Sequence, residues 1–401
     1  MKNRVIQKVA ALFLASGMVM SLAACNSSAD SSAAPSSSEA AASAGGTSKG
    51  TIKFGLIAPL TGVHAEYGQG FQTATKIAAD EINAAGGVNG YQIEIEVQDS
   101  AADPKTSADI ATQFCEDDDI KAIIGDFTSS CCMADAPIVD QYQCVLLSPT
   151  ASNPDYAPMS DYCFSVMYNQ ANMAPWVGKS VIGKYMGVKS VAVMYLNTDW
   201  GISTNQYLLQ GLSEAGIQVL ADEAYEEKET DFSSIIAKLK ASNAEAVCIL
   251  DQGNVPTIIN QIKTSGWGPK LVTQGPGASQ QMLDLCGKNA EGLVITDSSY
   301  ITEDNPKTKD FYDKFYAMNQ CAPTDHSLCA YNCVEMLASA IESIGDGDIT
   351  REAIKDALKT TTYDGMAGTV KFDENGGGVR QFLILGVKDG KYVVDEDYGY
   401  E

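Results

Sequence analysis

Three short polar segments follow predicted strands and carry side chains suited to binding a small anion. They read LTGVHAEY over 60–67, GDFTSS over 125–130 and SPTASNP over 148–154. Ser129 directly precedes an amphipathic helical pattern, so we expect it to cap that helix, where a hydroxyl and free amides attract a carboxylate. Plain capping explains Ser129 equally well, and Tyr67 alone fits a core position. Taken singly, the segments therefore leave binding and structural roles open.

The sequence is poor in the residues that catalysis would need. A hydrolase requires an activated nucleophile, but Ser129 and Ser152 share no motif with a histidine, and no GxSxG turn occurs. The two histidines, His64 and His326, offer little material for the commonest general base. No GxGxxG follows the first strand, which argues against a dinucleotide enzyme. We predict a binding protein that is not an enzyme and uses no cofactor.

Alternating strands and helices must position these polar segments. Short apolar strands alternate with amphipathic helices over 51–148, and the same rhythm restarts after Phe164 with a helix over 172–186 and runs to residue 297. Within this second part we expect strands over 246–250 and 270–274 and a helix over 280–286. Continuous apolar strands between such helices are typical of parallel sheets covered on both faces. The predicted fold is therefore α/β, with two parallel-sheet lobes followed by a C-terminal part that covers both. Ligands of such sheets bind at the carboxyl ends of the strands, which places the site between the lobes.

Charge and composition restrict the partners. The 401 residues are 45% hydrophobic, which is ordinary for a globular chain, and carry 27 Lys and Arg against 51 Asp and Glu. The resulting net charge of −24 repels phosphate backbones and anionic lipid. We therefore expect no nucleic-acid partner, and we expect a monomer that binds a small molecule.

Residues 1–24 are typical of a bacterial export signal, with a basic start, an apolar run and small residues before Cys25. The sequence Leu-Ala-Ala-Cys at 22–25 resembles a lipobox, in which the cysteine is lipidated and becomes the new N-terminus. An uncleaved anchor is disfavoured because the apolar run falls short of the roughly 20 residues that span a bilayer. Residues 25–50 are rich in Ser and Ala, as in a flexible linker. We predict an extracytoplasmic protein, lipid-anchored to the outer face of the cell membrane.

Ten cysteines follow Cys25, and no CxxC spacing links them. An exported chain can form disulfides, but several of these cysteines lie in apolar patterns, where a thiol behaves as a small hydrophobic group. We expect most of them to be unpaired. Zinc ligation by four residues stays open as an alternative, although the spacing of these residues matches no structural zinc pattern and we predict no metal. Its four candidate ligands are Cys321, His326, Cys329 and Cys333.

Taken in order, six stretches resemble the leucine/isoleucine/valine-binding family of solute-binding proteins for ABC transporters. The order and the intervals agree together, and the resemblance extends over essentially all of 51–401. The stretches cover 57–90, 98–111, 122–130, 146–156, 198–203 and 368–376.

This resemblance implies the type I periplasmic-binding-protein fold, in which two Rossmann-like parallel-sheet lobes are joined by three hinge crossings and close over the ligand. We expect lobe 1 to comprise 51–166 and 299–367. Lobe 2 should comprise 167–298 and 368–401. The crossings should lie near 165–169, 297–300 and 365–371.

The resemblance also implies which residues bind the ligand. Ser129, Ser152 and the backbone of Thr150, next to Ala151, match groups that hold a carboxylate and help to bind the amine. Tyr67 matches an aromatic wall of the first lobe. Trp200 stands where the second lobe usually has a tyrosine, and aromatic walls suit an apolar side chain.

The chain departs from the family pattern where the ligand amine should bind. Pro276 occupies the place of the glutamate that pairs with the ammonium, and an unpaired buried charge costs about 3–5 kcal/mol. Asp251 is the best placed acidic residue to substitute for this glutamate, and Asp199 and Asp297 are the next candidates. Otherwise the ligand has no ammonium. Two further departures are Val255 at a second-lobe tyrosine and Ala102 at a disulfide cysteine.

The predicted function is that of a lipid-anchored receptor that captures an amino acid by lobe closure and delivers it to an ABC permease. A branched-chain or other apolar amino acid is the expected solute. A receptor of the same fold for a different small carboxylate or an amide remains an alternative. So does a sensor that signals to a membrane protein.

Overall fold

The computed structural model describes residues 48–395, which belong to one compact unit. The predicted signal peptide, Cys25 and most of the linker lie outside the described residues and stay predictions. Among the described residues, no helix is long and apolar enough to cross a membrane.

The first sheet contains five parallel strands in the order β2-β1-β3-β4-β5. Its inner strands are buried along most of their length, as expected for a parallel sheet with helices on both faces. The strands are β1 (Gly50–Ala58), β2 (Tyr91–Asp99), β3 (Ile120–Ile124), β4 (Val145–Ser148) and β5 (Cys163–Ser165). The helices between them are α1 (Ala65–Ala84), α2 (Pro104–Glu116) and α3 (Ser129–Tyr142).

The second sheet contains seven strands in the order β15-β14-β10-β9-β8-β6-β7, of which β14 and β15 are antiparallel to their neighbours. Central β8 is buried at all positions, whereas edge β7 is largely exposed. The strands are β6 (Ser190–Leu196), β7 (Gln218–Tyr225), β8 (Ala246–Leu250), β9 (Lys270–Gln274), β10 (Val294–Asp297), β14 (Leu383–Lys388) and β15 (Lys391–Val394). The helices are α4 (Gln170–Trp176), α5 (Asp199–Glu214), α6 (Ser233–Ala241), α7 (Val255–Thr264) and α8 (Gln280–Cys286).

Three C-terminal helices return to the first sheet, where α10 packs along α1 and α11 contacts β3. They are α9 (Lys309–Asn319), α10 (Asp325–Ile344) and α11 (Arg351–Leu358). A small antiparallel sheet follows, made of β11 (Thr362–Gly365), β12 (Gly368–Phe372) and β13 (Gly378–Val379). The chain then enters the second sheet at β14.

Near 365–371, where the third crossing is predicted, β11 to β13 form a sheet of their own, and the chain enters the second sheet at β14. One local expectation is wrong. The single helix expected over 172–186 is instead α4 followed by wider π-helical turns over Val177–Tyr185. Pro175 lies inside α4 and lacks an amide hydrogen, which removes one helical hydrogen bond at this point. The division of residues between the lobes stays a prediction.

Candidate ligand-binding site

The segments that follow β3 and β4 lie side by side at the carboxyl edge of the first sheet. Thr128, and not Ser129, is the N-cap of α3: its extended backbone lets the side chain accept a 3.3 Å hydrogen bond from the Cys131 amide. Ser129 is the first helical residue, and its Oγ accepts from the amide of Asn153 at 3.3 Å. The expectation that Ser129 caps the helix is therefore wrong, and its hydroxyl proton is not used by the cap.

Ser148 holds the second segment in shape. The amides of Thr150 and Ala151 both donate to its Oγ, at 3.2 and 2.8 Å. The Thr150 hydroxyl donates to the carbonyl of Phe127 at 2.8 Å, which joins the two segments. Thr150 and Ala151 are buried here, and their amides are already used within the protein.

The N-terminus of α5, the helix that follows β6 of the second sheet, faces these two segments. Trp200 Nε1 donates to Ser152 Oγ at 3.1 Å, and Asn153 Nδ2 donates to the carbonyl of Asp199 at 3.0 Å. Ser152 and Trp200 are 5% and 3% exposed, so this junction excludes most water. The structure thus brings Ser129, Ser152 and Trp200 together, as predicted from their separate segments.

An aromatic wall lines the first-sheet side of the cleft. Tyr67 stacks on Phe127 with ring centroids 4.5 Å apart, and its hydroxyl donates to the carbonyl of Pro276 at 2.5 Å. The ring centroid of His326 lies 5.4 Å from that of Tyr67 and 5.9 Å from that of Phe127. Pro276 therefore contributes a backbone acceptor to the cleft, but no charge.

His326 is neutral at this position. Burial lowers its pKa to about 4, although Asp325 acts in the opposite direction. Its Nδ1 atom has no hydrogen-bond partner among the described residues. A neutral imidazole next to Tyr67 offers a ligand a hydrogen bond without a charge.

Two glutamines meet behind Ser152. Gln170 begins α4, and its Nε2 donates to Gln274 Oε1 at 2.9 Å and to Ser152 Oγ at 3.4 Å. Gln274 ends β9, and both glutamine residues are 1% exposed. Within residues 48–395, Gln170 Oε1 and Gln274 Nε2 have no partner.

The three acidic residues considered for the ligand amine differ in their surroundings. Asp251 is 1% exposed, and its Oδ1 accepts from the amides of Gly253 and Asn254 while Oδ2 accepts from the Tyr225 hydroxyl at 2.7 Å. Burial raises the pKa of Asp251, against these hydrogen bonds. Asp199 is exposed. Burial and the neighbouring Asp325 raise the pKa of Asp297 well above its usual range.

Two side-chain contacts join the lobes at the rim of the cleft. His64 Nε2 lies 2.9 Å from Glu227 Oε1, and this hydrogen bond lowers the pKa of Glu227. Ser279 Oγ donates to Glu66 Oε2 at 3.3 Å, while burial raises the pKa of Glu66 to about 7. The structure is thus a closed arrangement with polar contacts around the cleft.

The model of the periplasmic binding protein family matches residues 51–391. The chain belongs to this family. The predicted type I periplasmic-binding-protein fold and the resemblance to leucine/isoleucine/valine-binding proteins are thereby confirmed.

This periplasmic binding protein is 28% identical over 328 residues to the leucine-, isoleucine-, valine-, threonine- and alanine-binding protein of Pseudomonas aeruginosa, covering 81% of this chain and 87% of that one. The branched-chain amino acid transporter substrate-binding protein of Streptococcus pneumoniae, in complex with isoleucine, has a similar structure. Its TM-score is 0.78 at 23% identity, over 86% of this chain and 99% of that one. A Rhodopseudomonas palustris solute-binding protein in complex with 3,4-dihydroxybenzoic acid matches with a TM-score of 0.80 at 20% identity. The match covers 88% of this chain and 97% of that one.

Several cleft residues of this periplasmic binding protein escape sequence reasoning. His326 stands out in the sequence only as one of four candidate zinc ligands, yet no group of three His, Cys, Asp or Glu suited to a metal occurs among residues 48–395. The ten cysteines in this part of the chain are free thiols, and all but Cys321 are buried. Gln170 and Gln274 carry no motif, because they lie 104 residues apart and meet only through the fold.

Proposed function

We propose that this chain is an extracytoplasmic solute-binding protein of an ABC importer, which captures an amino acid or a related small carboxylate between its lobes. The observation that carries the proposal is the junction of Ser129, Ser152 and Trp200. Each serine Oγ accepts hydrogen bonds from the protein, and neither hydroxyl donates to an acceptor among the described residues. Two buried hydroxyl protons next to a helix N-terminus suit a carboxylate.

Lobe closure supplies the selectivity in this proposal. Ser129 and Ser152 hold the carboxylate on the first lobe, while Trp200 and Tyr67 bracket the rest of the solute and exclude water. The loop around Thr150 and Ala151 keeps the serines in place. Asp251 supplies a negative charge behind the cleft. Binding and closure then stabilise each other, because the contacts between lobes and solute form together.

A carboxylate without an amine is the second candidate. It is favoured by the wall of Tyr67, Phe127 and His326, and by Pro276 at the place where the family pattern has a glutamate. The relative in complex with 3,4-dihydroxybenzoic acid shows that this fold accommodates such a solute. The relatives that bind amino acids favour the first candidate.

The partner of the loaded protein is proposed to be an ABC permease in the membrane, with a signalling receptor as the alternative. Lipidation of Cys25 would keep the protein at the outer face of the membrane, with residues 25–50 as the tether. We expect Cys25→Ala to release the protein from the membrane fraction without a change in melting temperature. Fractionation of cells that express each form measures this, and equal membrane retention of both forms would refute the anchor.

A thermal-shift screen over the L-amino acids and small carboxylic acids tests the proposed function. A solute that binds only the folded state, at about 1,000 times its Kd, stabilises that state by about 4 kcal/mol. We expect at least one free acid to raise the melting temperature, while its methyl ester, which lacks the carboxylate, does not. If no amino acid or carboxylic acid shifts the melting temperature, the proposed function is wrong.

A further inference from the structure

We propose that Gln170 and Gln274 together recognise the α-amino carboxylate of the solute, with a side-chain carbonyl of the pair accepting from the ammonium. This inference rests on the proposed function and narrows the solute to an α-amino acid. It assigns the amine contact to a neutral amide pair in a chain where Pro276 stands in place of an acidic residue.

The position of the pair is the first support. Gln170 Nε2 is 3.4 Å from Ser152 Oγ, and the Gln170 amide donates to the Ser152 carbonyl at 2.9 Å. Ser152 also accepts from Trp200 at 3.1 Å. The glutamine pair is therefore next to the group that holds the carboxylate, which is where the α-substituent of the solute must lie.

The free atoms of the pair are the second support. A glutamine amide has one acceptor oxygen and a nitrogen that can donate twice. The single bond between Gln170 and Gln274 leaves Gln170 Oε1 and Gln274 Nε2 without a partner among the described residues, although both residues are 1% exposed. Turning both amides over would set Gln170 Oε1 against Ser152 Oγ and use the Ser152 hydroxyl proton, so the arrangement with Gln170 Oε1 free is the one consistent with carboxylate binding at Ser152. The pair then presents one carbonyl and one amide nitrogen, which complement an ammonium and a carboxylate.

Asp251, the alternative partner of the solute ammonium, already accepts hydrogen bonds from residues of the second lobe. Three donors already bind its two oxygens: the amides of Gly253 and Asn254 bind Oδ1, and the hydroxyl of Tyr225 binds Oδ2. These bonds hold the loop that enters α7. Asp251 therefore contributes a negative charge near the cleft, while the glutamine pair has an acceptor free for direct contact.

The test compares two substitutions at one position. Gln170→Met keeps the length of the side chain but removes the acceptor, and Gln170→Glu keeps an acceptor and adds a charge, to which Gln274 can donate by turning its amide. Calorimetry would measure the Kd of the amino acid that stabilises the protein most, and of its deaminated acid. We expect Gln170→Met to weaken amino acid binding by about tenfold or more, with little change for the deaminated acid. We expect Gln170→Glu to bind the amino acid at least as tightly as the unchanged protein and the deaminated acid more weakly.

The controls separate the possible failures. Gln210→Met makes the same chemical change at an exposed position of α5, where Gln210 hydrogen-bonds to Glu214, and should leave both affinities unchanged. An unchanged amino acid affinity in Gln170→Met, together with a tenfold loss in Asp251→Asn, would make Asp251 the partner and overturn this inference alone. Equal loss of both solutes in Gln170→Met and Gln170→Glu would indicate a purely structural role and overturn it as well. Binding of neither an amino acid nor a deaminated acid by the unchanged protein would refute the proposed function and this inference with it.

Discussion

Asp325→Asn is expected to lower the free energy of unfolding by about 3–5 kcal/mol, because it leaves a buried guanidinium without its counter-charge. Arg380 Nη2 lies 2.8 Å from Asp325 Oδ1, and the two side chains are 6% and 0% exposed. The hydroxyls of Ser298 and Ser299 also donate to the Asp325 carboxylate, and Arg380 Nη1 donates to Cys329 Sγ. Burial alone would raise the pKa of Asp325, but the Arg380 charge and the serine hydroxyls together lower it.

This ion pair joins segments that belong to both sheets. Asp325 begins α10 on the first sheet, Ser298 follows β10 of the second sheet, and Arg380 lies just before the chain enters β14. Loss of one charge therefore weakens contacts between the part of the chain packed on the first sheet and the segments that border the second sheet.

Denaturant unfolding of matched variants measures the effect. Asp313→Asn removes a carboxylate from the exposed pair with Lys309, whose side chains are 56% and 55% exposed, and should cost no more than about 1 kcal/mol. The double variant Asp325→Asn/Arg380→Met removes both buried charges and should recover part of the loss. If Asp325→Asn costs no more than Asp313→Asn, the pair does not behave as a buried charge pair.

The alternation of elements was predictable because it depends on local periodicity. Strands β8 and β9 and helix α8 have the bounds expected from the sequence, and most other elements end within a few residues of the expected positions. Short strands such as β5 and β13 carry too few residues for a pattern. They exist because neighbouring backbone pairs with them, which no local signal reveals.

The residues of the candidate site differ in the same way, because some carry a local sequence signal and others do not. Ser129, Ser152 and Trp200 follow strands or begin helices, so a sequence pattern places them at the carboxyl edges of the two parallel sheets. Gln170 and Gln274 enter the cleft from the first crossing and from β9. Their buried atoms are distinctive only after the lobes meet, because burial without a partner is a property of the assembled structure.

Ser129→Ala and Ser152→Ala are each expected to weaken solute binding by about 10- to 150-fold, because both serines belong to the proposed carboxylate site. The loss of one hydrogen bond to a charged, desolvated carboxylate costs roughly 1.5–3 kcal/mol. Both hydroxyls already accept from protein donors, so the hydroxyl proton is the part that the solute would use.

Neighbouring residues distinguish this role from helix capping. Because Thr128 caps α3, Thr128→Ala should lower the stability by about 1 kcal/mol. Ser129→Ala leaves the Asn153 amide without its acceptor and should also lower the melting temperature, so its loss of affinity is the result that indicates carboxylate binding. Ser130→Ala makes the same substitution one residue further along the helix and should change neither quantity. Calorimetric titration and thermal unfolding of the three variants give both measurements. A Ser129→Ala variant with full affinity and a lowered melting temperature would assign this serine to the helix and would leave Ser152 as the carboxylate donor to be tested alone.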